Sequence, residues 1–418
     1  MGTHSEANKE PHALSKRPHL RDIRTKNRAL LLGHLLEEGA ISRHDLSLRT
    51  GLTQASISRI TKELIAEGIC CEGNPYRAEK RLGRRRIEVC VDPNGGAVIA
   101  VCLSAFSRRI AVTDLLGKTI YEKTIPARAI KSARSTVNYI AEYVNELVNS
   151  KKLPRSKILG AAITIAGSIC PKSGNIIQAP LLGWRNYPIR DHLNSSLGVS
   201  VRVENIADTL CLGHLGRNLA DETNKHTIFL AHVAVGMGAS LAVDGKIVGR
   251  RGDEGWIGSI PVSPFLSERY DGNRLRDVSS GQAILTRIDG VQCRYPTRET
   301  DITSRIQNAV NAANERNDIE RQIFQDAGRS LGATLMQLTA AYLPDQIVLA
   351  GPIAASRHYC QAAIDAYREL AQGTDAKDTE FNNNTTEYIE AAQYLALREY
   401  VCSGIAQRIV GYPMGNVG

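Results

Sequence analysis

The sequence predicts a small N-terminal winged helix-turn-helix domain, of the α+β class, followed by a larger two-lobed α/β domain. Three observations predict this fold. Three short helix patterns occupy the chain up to residue 66, a basic segment follows them, and strand and helix patterns alternate from about residue 97 onwards. At 418 residues the chain is too long for one compact core. We therefore expect two or three domains.

The third helix pattern, residues 53–66 (TQASISRITKELIA), is the most informative stretch of the chain. It follows helices expected at about Thr25–Glu38 and Ser42–Thr50 and a turn at Gly51. Its apolar positions recur every three or four residues and predict a face that packs on the first two helices. These positions are Ile57, Ile60, Leu64 and Ile65.

The polar face of this helix has the small, Ser- and Gln-rich character of a major-groove reader. Gln54, Ser56 and Arg59 are expected within reach of base edges, where Gln suits adenine and Arg suits guanine. Ser58 and Lys62 are better candidates for phosphate contacts. The arginines that follow, at the expected wing tip, suit a narrow minor groove. A solvated face of a generic helical domain is the alternative interpretation. The predicted DNA-contacting residues are Thr53 (also the expected N-cap), Gln54, Ser56, Ser58, Arg59, Lys62, Arg84, Arg85 and Arg86.

The net charge and the cysteine spacing restrict the functions that the chain can have. The formal net charge is +9, and residues 1–90 hold 17 Lys/Arg against 11 Asp/Glu, which is +6 of that excess. Such a bias suits phosphate binding. The nine cysteines show no C-x-x-C spacing, so we expect no disulfide framework and a reducing cytoplasm. Cys70 and Cys71 are either a redox pair or, as we favour, buried strand residues.

Composition shifts divide the chain into segments. We expect a disordered leader over residues 1–20, the winged helix-turn-helix over 21–92, a first α/β lobe over 97–215 and a second over 216–400. The C-terminal helix could return to the first lobe, and residues 401–418 form a tail. No signal peptide and no apolar run long enough for a membrane span is expected.

Strand patterns fill the two predicted lobes. Residues 97–124 and 226–250 each contain a strand, a Gly-containing turn and a second strand, which indicates a duplicated βββαβα-type unit. A helix is expected over about Ser132–Ser150 and a long one over about Asp318–Tyr342. The Asn-rich segment 381–384 is expected to be a loop before the last helix.

Four segments carry a resemblance to the ROK family, named for its repressors, open reading frames and kinases. They read ITIAGSICPKSGNIIQAPLLGW, LGVSVRVENIADTLCLGHLG, VAVGMGASLAVDGKIVGRRGDEGWIGSI and LPDQIVLAGPIA. With the winged helix they resemble the branch of xylose and N-acetylglucosamine repressors. The resemblance implies a sugar-kinase-like domain of the actin/hexokinase type.

The motifs that the resemblance assigns to catalysis are altered. ROK kinases cradle ATP phosphates with an Asp-x-Gly-Gly-Thr-Lys loop, but the equivalent stretch here, Cys102–Arg108, has no Gly and carries Phe106. The kinases' general base is the Asp of Glu-Asn-Asp-Ala, and Ile206 stands there. An aliphatic side chain cannot accept a proton, and Asp208 would have to re-aim its carboxylate. We therefore expect no catalytic residues.

The family's zinc and sugar motifs are altered too. The His of Glu-Ile-Gly-His is Ser259 here, and SERYDGNRLRDVSSG has no cysteine, so neither a zinc site nor any other cofactor is expected. Two sugar-binding carboxylates become Trp256 and Arg276, which favours a sugar acid or sugar phosphate over a neutral sugar. A decayed pocket with Arg276 at the surface is the alternative. The effector-binding candidates are Gly183, Glu204, Asn205, Trp256 and Arg276.

These observations predict a transcriptional regulator, most often a repressor in this family, of carbohydrate-related genes. One winged helix seldom supplies enough contacts, so we expect a homodimer or homotetramer on palindromic double-stranded DNA. The ROK domain is expected to mediate oligomerisation and effector sensing without catalysis. The alternatives are a sugar kinase with a DNA-binding head and a regulator controlled by a protein partner.

Overall fold

The N-terminal part of the chain forms three helices and a three-stranded sheet. A computed structural model describes residues 20–73, 87–216, 227–248, 257–262, 273–290, 299–315 and 318–402. The central strand β3 is antiparallel to both neighbours. These elements form the winged helix-turn-helix, hereafter the reader domain. They are α1 (Leu20–Glu38), β1 (Ile41–Ser42), α2 (Arg43–Thr50), α3 (Gln54–Ala66), β2 (Cys70–Glu72) and β3 (Glu88–Val91).

Local capping sets the limits of α2 and α3. The Ser42 hydroxyl accepts a hydrogen bond from the Asp45 amide at 3.2 Å and begins α2. Gly51 ends that helix with a left-handed φ of 66°, which a residue with a Cβ rarely adopts. The Thr53 hydroxyl then accepts from the Ser56 amide at 3.2 Å and begins α3. The tight turn between the two helices follows from these three residues.

Helix α1 begins at Leu20 rather than at about Thr25 as predicted. No helix-breaking residue stands between Pro18 and Thr25 in the sequence, so nothing local stops the helix earlier. In addition, the Arg24 guanidinium donates to the Glu63 carboxylate at 2.9 Å. This bond ties the extra turn of α1 to α3.

The predicted apolar face of α3 is the core of the reader domain. Ile57, Ile60 and Leu64 are buried, and Ile65 is half-buried at its margin. They pack with Leu31, Leu32 and Leu35 of α1. The prediction that this face packs against the other helices is therefore confirmed.

The first α/β lobe is built on a five-stranded mixed sheet in the order β11-β7-β4-β5-β6. β4, β7 and β11 are parallel, and β5 and β6 continue as an antiparallel hairpin. The small sheet β8-β9-β10 stands beside it. The elements are β4 (Ala97–Leu103), β5 (Arg108–Asp114), β6 (Thr119–Thr124), α4 (Ala133–Asn149), β7 (Ile158–Ile165), β8 (Ser168–Ile169), β9 (Ile176–Ala179), β10 (Trp184–Tyr187), α5 (Ile189–Leu197), β11 (Val201–Asn205) and α6 (Ile206–Gly216).

The second lobe has a five-stranded sheet in the order β14-β13-β12-β15-β16. Helices α10 and α11 pack closely against each other in this lobe. The elements are β12 (Thr227–Val233), β13 (Met237–Val243), β14 (Lys246–Ile247), α7 (Leu275–Ser279), α8 (Gly281–Asp289), α9 (Glu299–Glu315), α10 (Asp318–Thr339), β15 (Gln346–Ala350), α11 (Arg357–Ala371), β16 (Glu380–Asn384) and α12 (Tyr388–Leu397), which ends in one turn of π-helix, Arg398–Cys402.

The two large sheets have the same topology. In each, the first strand is central, the next two form an antiparallel meander on one side, and the last two are parallel to it on the other. Because strand order and direction coincide throughout, the predicted duplication of a βββαβα-type unit is confirmed.

The Asn-rich segment is strand β16, so the expectation of a loop was wrong. Phe381 to Asn384 pair in parallel with β15 at the edge of the second sheet. An edge strand is held by main-chain hydrogen bonds on one side only and tolerates polar side chains. Asn384 adds a side-chain hydrogen bond to the Leu210 carbonyl at 3.4 Å.

Helices α6 and α12 lie between the two large sheets. Both contribute apolar side chains to one core that also contains β4 and β5 of the first sheet and β12 and β15 of the second. His214 of α6 lies 2.6 Å from the Gln346 amide oxygen of β15. The two lobes are thus joined by helices that contact both sheets.

The reader domain docks on the end of α12. Leu395, Tyr400 and Val401 belong to the same buried core as Leu31 and Leu35 of α1. The Gly95 turn also approaches Gly68 closely, since a Cβ on Gly95 would stand 1.8 Å from the Gly68 carbonyl oxygen. The reader and the first lobe therefore share a continuous core. Within the described ranges, no helix is long and apolar enough to cross a membrane.

Candidate DNA interface and interlobe site

The N-terminal half of α3 carries the exposed polar face. Thr53, Gln54, Ser58, Arg59 and Lys62 are exposed. The side chains of Ser58, Arg59 and Lys62 have no hydrogen-bonding partner among the described residues. Their donors are therefore available to an external acceptor.

The remaining predicted residues of α3 bond to each other or to α2. Thr53 donates its hydroxyl to Ser56 Oγ at 3.0 Å and accepts from the Ser56 amide, so both hydroxyls serve the helix cap. The Gln54 amide nitrogen lies 2.9 Å from His44 Nδ1. The Gln54 side chain therefore contacts α2 from the first residue of α3, at the turn between these two helices.

Acidic side chains of α3 are neutralised away from this face. Arg28 of α1 makes two hydrogen bonds, of 2.9 and 2.6 Å, with the Glu67 carboxylate. Glu63 is bonded to Arg24, as described above. Because both carboxylates are bonded to arginines of α1, Arg59 and Lys62 stay unpaired, and the N-terminus of α3 adds the positive end of the helix dipole. This asymmetry suits a polyanion.

The predicted wing is described at its base only. Gly73 donates its amide to the Glu88 carbonyl at 2.9 Å, which closes the β2–β3 hairpin. The tip candidates Arg84, Arg85 and Arg86 lie outside the described residues. Below the closing bond, Cys71 and Cys90 stand opposite each other in the ladder. Sequence reasoning paired Cys71 with Cys70 and missed Cys90.

The loop Cys102–Arg108, which the resemblance aligned with the kinase phosphate cradle, is internally hydrogen-bonded. The Ser104 hydroxyl accepts from the amides of Phe106 at 3.1 Å and Ser107 at 2.8 Å. The Thr303 hydroxyl donates to the Ala105 carbonyl at 3.0 Å. Phe106 packs against both the interlobe core and the core of the second lobe. The backbone amides that a phosphate would need therefore donate to Ser104 instead. A serine that can bond the nearby backbone amides was a local signal already present in the sequence.

The segment after β11 is a helix cap. Asn205 accepts from the Asp208 amide at 2.8 Å through its side-chain oxygen, and its side-chain nitrogen donates to Asp208 Oδ2 at 3.0 Å. Ser240 of β13 donates its hydroxyl to Asp208 Oδ1 at 2.6 Å. Ile206 is buried at the start of α6. Asp208 therefore connects the first lobe to the second.

Glu204 lies beside Asn205 in sequence, but its environment is different. It is 4% exposed, and its carboxylate accepts from Arg202 Nε at 2.8 Å on the same face of β11. Since neighbouring residues of a strand point to opposite faces, Glu204 and Asn205 do not share one surface.

Arg276 and the altered zinc motif are close together. Arg276 is exposed, and its guanidinium lies 3.3 Å from Ser259 Oγ. A Cβ on Gly258 would stand 3.0 Å from Arg276 Cβ. Trp256, just before this segment, lies outside the described residues. In the described part of the chain, no group of three or more His, Cys, Asp or Glu is placed to hold a metal ion.

Open space is present at two further places. Gly183 has φ 69° at the end of a short 3-10 helix, and a Cβ there would meet no atom within 4 Å. A cavity of about 430 Å³ opens between β5, β6 and α12, lined by Arg109, Glu122 and Glu387 among others. No predicted effector residue lines this cavity.

The family model of the ROK family matches residues 99–389. The xylose repressor of Caldicellulosiruptor bescii is 28% identical over 338 residues, covering 77% of this chain and 82% of that protein. The DNA-binding transcriptional dual regulator NagC of Escherichia coli K12 is 24% identical over 352 residues, covering 82% and 84%. The resemblance predicted from the motifs is confirmed.

One solved structure extends the match to the reader domain. The crystal structure of a ROK family transcriptional regulator, described as a homolog of the E. coli MLC protein, superposes with a TM-score of 0.74. It is 22% identical and covers 92% of this chain and 98% of that one. The predicted fold, a winged helix-turn-helix followed by a two-lobed sugar-kinase-like domain, is confirmed.

Proposed function

The chain belongs to the ROK family, and on that premise we propose that it is a DNA-binding transcriptional regulator that represses carbohydrate-related genes. One observation carries the proposal. The exposed face of α3 presents the side chains of Ser58, Arg59 and Lys62, which have no hydrogen-bonding partners in the described ranges. The names of two relatives, a xylose repressor and the transcriptional regulator NagC, support the same class of function.

In the proposed complex, α3 enters the major groove with its N-terminus first. Arg59 donates to guanine and Gln54 bonds adenine, while Ser58 and Lys62 contact phosphates. Thr53 and Ser56 hold the first turn of α3 in place through their mutual hydrogen bonds. Arg84, Arg85 and Arg86 of the wing enter the neighbouring minor groove. A homodimer or homotetramer reads the two halves of a palindrome, and the protein acts in the cytoplasm, where it meets DNA.

The large domain works without catalysis in this proposal. The amides of Phe106 and Ser107 are bonded to Ser104, so they are not available to ATP phosphates. Ile206 supplies no base, and both Asp208 oxygens accept hydrogen bonds from Asn205 and Ser240. In an ATP-dependent phosphorylation assay over a hexose panel, we expect no turnover above a heat-denatured sample. Turnover would support a kinase with a DNA-binding head instead.

An anionic effector, a sugar acid or sugar phosphate, would bind by the exposed Arg276, with Trp256 stacking on its ring. A movement of the lobes would reach the reader through α12, since this helix packs between the sheets and ends in the core shared with α1. Calorimetry of the whole protein compares neutral sugars with their acids and phosphates. Binding of a neutral sugar alone would contradict the anionic effector. If no ligand binds, control by a protein partner becomes the better proposal.

The DNA proposal is tested by selecting fragments of the source genome on the purified full-length protein and sequencing those retained. We expect enrichment of fragments that share an inverted repeat, with affinity falling steeply as salt is raised, because counterions are released from the phosphates. Retention without a shared sequence, or no retention at low salt, would contradict sequence-specific binding.

A further inference from the structure

The β2–β3 hairpin of the reader domain contains a pair of thiols in direct contact. The sulfur atoms of Cys71 and Cys90 are 3.3 Å apart, and the two residues are direct partners in the antiparallel ladder. Cys71 is half-buried, whereas Cys90 is buried. This contact joins residues on the two strands that lead to and from the wing.

The backbone geometry at this position accepts a disulfide. Hydrogen bonds from Gly73 to Glu88 and from Asp92 to Ile69 flank the pair, so Cys71 and Cys90 are themselves a hydrogen-bonded pair. Such pairs have Cα atoms about 5.5 Å apart, which is within the usual range for disulfides. Forming an S–S bond of about 2.05 Å would bring the sulfurs together by about 1.2 Å. Side-chain rotation supplies most of that approach.

No other described cysteine offers the same opportunity. Cys70 pairs with Val91 and, as the neighbour of Cys71 on a strand, points to the opposite face. Cys102, Cys211, Cys360 and Cys402 are buried, and within the described ranges no second sulfur lies in contact with them. Cys170 is half-buried on the first lobe. The contact between Cys71 and Cys90 therefore singles out one pair.

We propose that Cys71 and Cys90 are a redox-modification site that a hydroperoxide converts to a disulfide. The more accessible Cys71 thiol is oxidised first: its sulfur displaces water from hydrogen peroxide and becomes a sulfenic acid. The Cys90 sulfur then attacks the Cys71 sulfur, the S–O bond breaks, and the leaving hydroxide takes the Cys90 proton and departs as a second water as the S–S bond forms. The two thiols lose two electrons in total to one peroxide, and a thiol reductant reverses the change.

The surroundings of Cys90 account for the order of the two steps. Burial, together with the hydrogen bond to Cys71, raises the pKa of Cys90 to about 12. It therefore stays a thiol and is protected from direct attack by peroxide. Its Sγ also lies 3.2 Å from the Gly73 carbonyl oxygen, at the end of the hairpin. A new bond to Cys71 would have to pull this sulfur away from Gly73.

The consequence for DNA rests on the proposed function. Residues 74–86, which carry Arg84, Arg85 and Arg86, connect the two strands that the disulfide would draw together. The other face of β3 is anchored, because Val89 and Val91 are buried in the reader core. The disulfide would therefore change the spacing of β2 and β3 at the end from which the segment with these arginines leaves. We expect oxidation to weaken operator binding by roughly tenfold, the equivalent of one groove contact.

The chemical step is tested on the full-length Cys170→Ser protein, which lacks a competing accessible thiol. The reduced protein is treated with one equivalent of hydrogen peroxide, remaining thiols are alkylated, and cross-linked peptides are identified by tandem mass spectrometry. We expect a Cys71–Cys90 cross-link that disappears on reduction, is absent in Cys71→Ser and Cys90→Ser, and persists in the matched control Cys70→Ser. A cross-link through Cys70, or sulfinic acid without any cross-link, would overturn the proposal.

The functional step uses the fragments selected above and fluorescence anisotropy with reduced, oxidised and re-reduced protein. We expect the affinity to fall on oxidation and return on reduction in the parent and in Cys70→Ser, but to stay constant in Cys71→Ser. An unchanged affinity of fully cross-linked protein would overturn the control of DNA binding. If the reduced protein retains no fragment, the proposed function fails, while the mass spectrum still decides whether the disulfide forms.

Discussion

His232 of the second sheet is bonded to Tyr388 of α12, the helix between the two large sheets, with His232 Nε2 and the Tyr388 hydroxyl oxygen 2.6 Å apart. Both residues are buried, and their rings meet edge to face with centroids 5.4 Å apart. His232 lies on the central strand of the second sheet, and Tyr388 begins α12, the helix on which the reader docks. A change at this contact would therefore bear on both lobes and on the reader.

The first prediction concerns the pH dependence of stability. Burial lowers the pKa of His232 to about 4, whereas an unfolded histidine titrates near 6.5. Between these values the unfolded chain binds a proton that the folded chain does not. The contribution of His232 to the free energy of unfolding is therefore complete above about pH 6.5. It is lost as the pH falls towards 4, by on the order of 3 kcal/mol. Denaturant unfolding of the parent and of His232→Gln at pH 7 and at pH 5 measures this loss in the free energy of unfolding.

The variant His232→Gln has no titrating group at this position but keeps an amide that can bond Tyr388. We expect its free energy of unfolding to depend less steeply on pH than that of the parent across this window. Parallel pH profiles of the two proteins would show that His232 is not the group responsible.

The second prediction concerns base reading by α3. Arg59→Ala removes the exposed guanidinium that we expect to contact guanine, and should weaken binding to selected fragments by about 1–3 kcal/mol. The loss should be greatest for fragments with the consensus sequence. Arg368→Ala is the matched control, because Arg368 is equally exposed but lies on α11 of the second lobe. Equal effects of both substitutions would indicate general electrostatics instead of base reading.

The third prediction concerns the docking of the reader. Gly95→Ala would place a Cβ 1.8 Å from the Gly68 carbonyl oxygen, a backbone atom that cannot move aside alone. We expect the reader to shift away from the first lobe and the free energy of unfolding to fall by about 1–3 kcal/mol. Proteolysis should then release the reader faster. Gly236→Ala is the control, since a Cβ there meets no atom within 4 Å. Equal proteolysis of Gly95→Ala and the parent would contradict a tight docking contact.

The fourth prediction concerns the cap of α3. Thr53→Ala removes the acceptor for the Ser56 amide and should destabilise the start of the helix by about 1 kcal/mol. Hydrogen exchange of the first α3 amides should accelerate accordingly. Thr53→Ser keeps the hydroxyl and should retain the protection of the parent. If serine and alanine behave alike, the capping bond is not what orders this turn.

Local patterns were sufficient for much of the fold. The spacing of Ile57, Ile60 and Leu64 identified the buried face of α3, because a helix of this length has one apolar stripe. The pattern failed for strand β16, since Phe381 to Asn384 are strand residues through pairing with β15 and not through their own propensity. The start of α1 was also placed too late, although no residue between Pro18 and Thr25 breaks a helix; Arg24 of the extra turn also bonds Glu63 of α3.

For the candidate sites, too, residue identity was sufficient at some positions, whereas tertiary contacts decided the others. Residue identity alone indicated that Ile206 cannot serve as a base. Whether Asp208 replaces it depends on Ser240, a residue of the other lobe, which donates to its carboxylate. Glu204 was grouped with Asn205 because the two are adjacent in sequence, yet it is bonded to Arg202. Sequence adjacency does not predict a shared surface on a strand.

By itself, the sequence determined the order of the domains, the helix-turn-helix and the alteration of the kinase motifs, because each depends on residue type and short-range spacing. Only the tertiary structure decided that Cys71 meets Cys90, that His232 meets Tyr388, and that α12 packs between two sheets and against α1. Each of these contacts joins elements whose register and approach are set by packing of the whole chain. That packing creates a cross-strand thiol pair at the base of the β2–β3 hairpin and places α12 in contact with both the lobes and the reader.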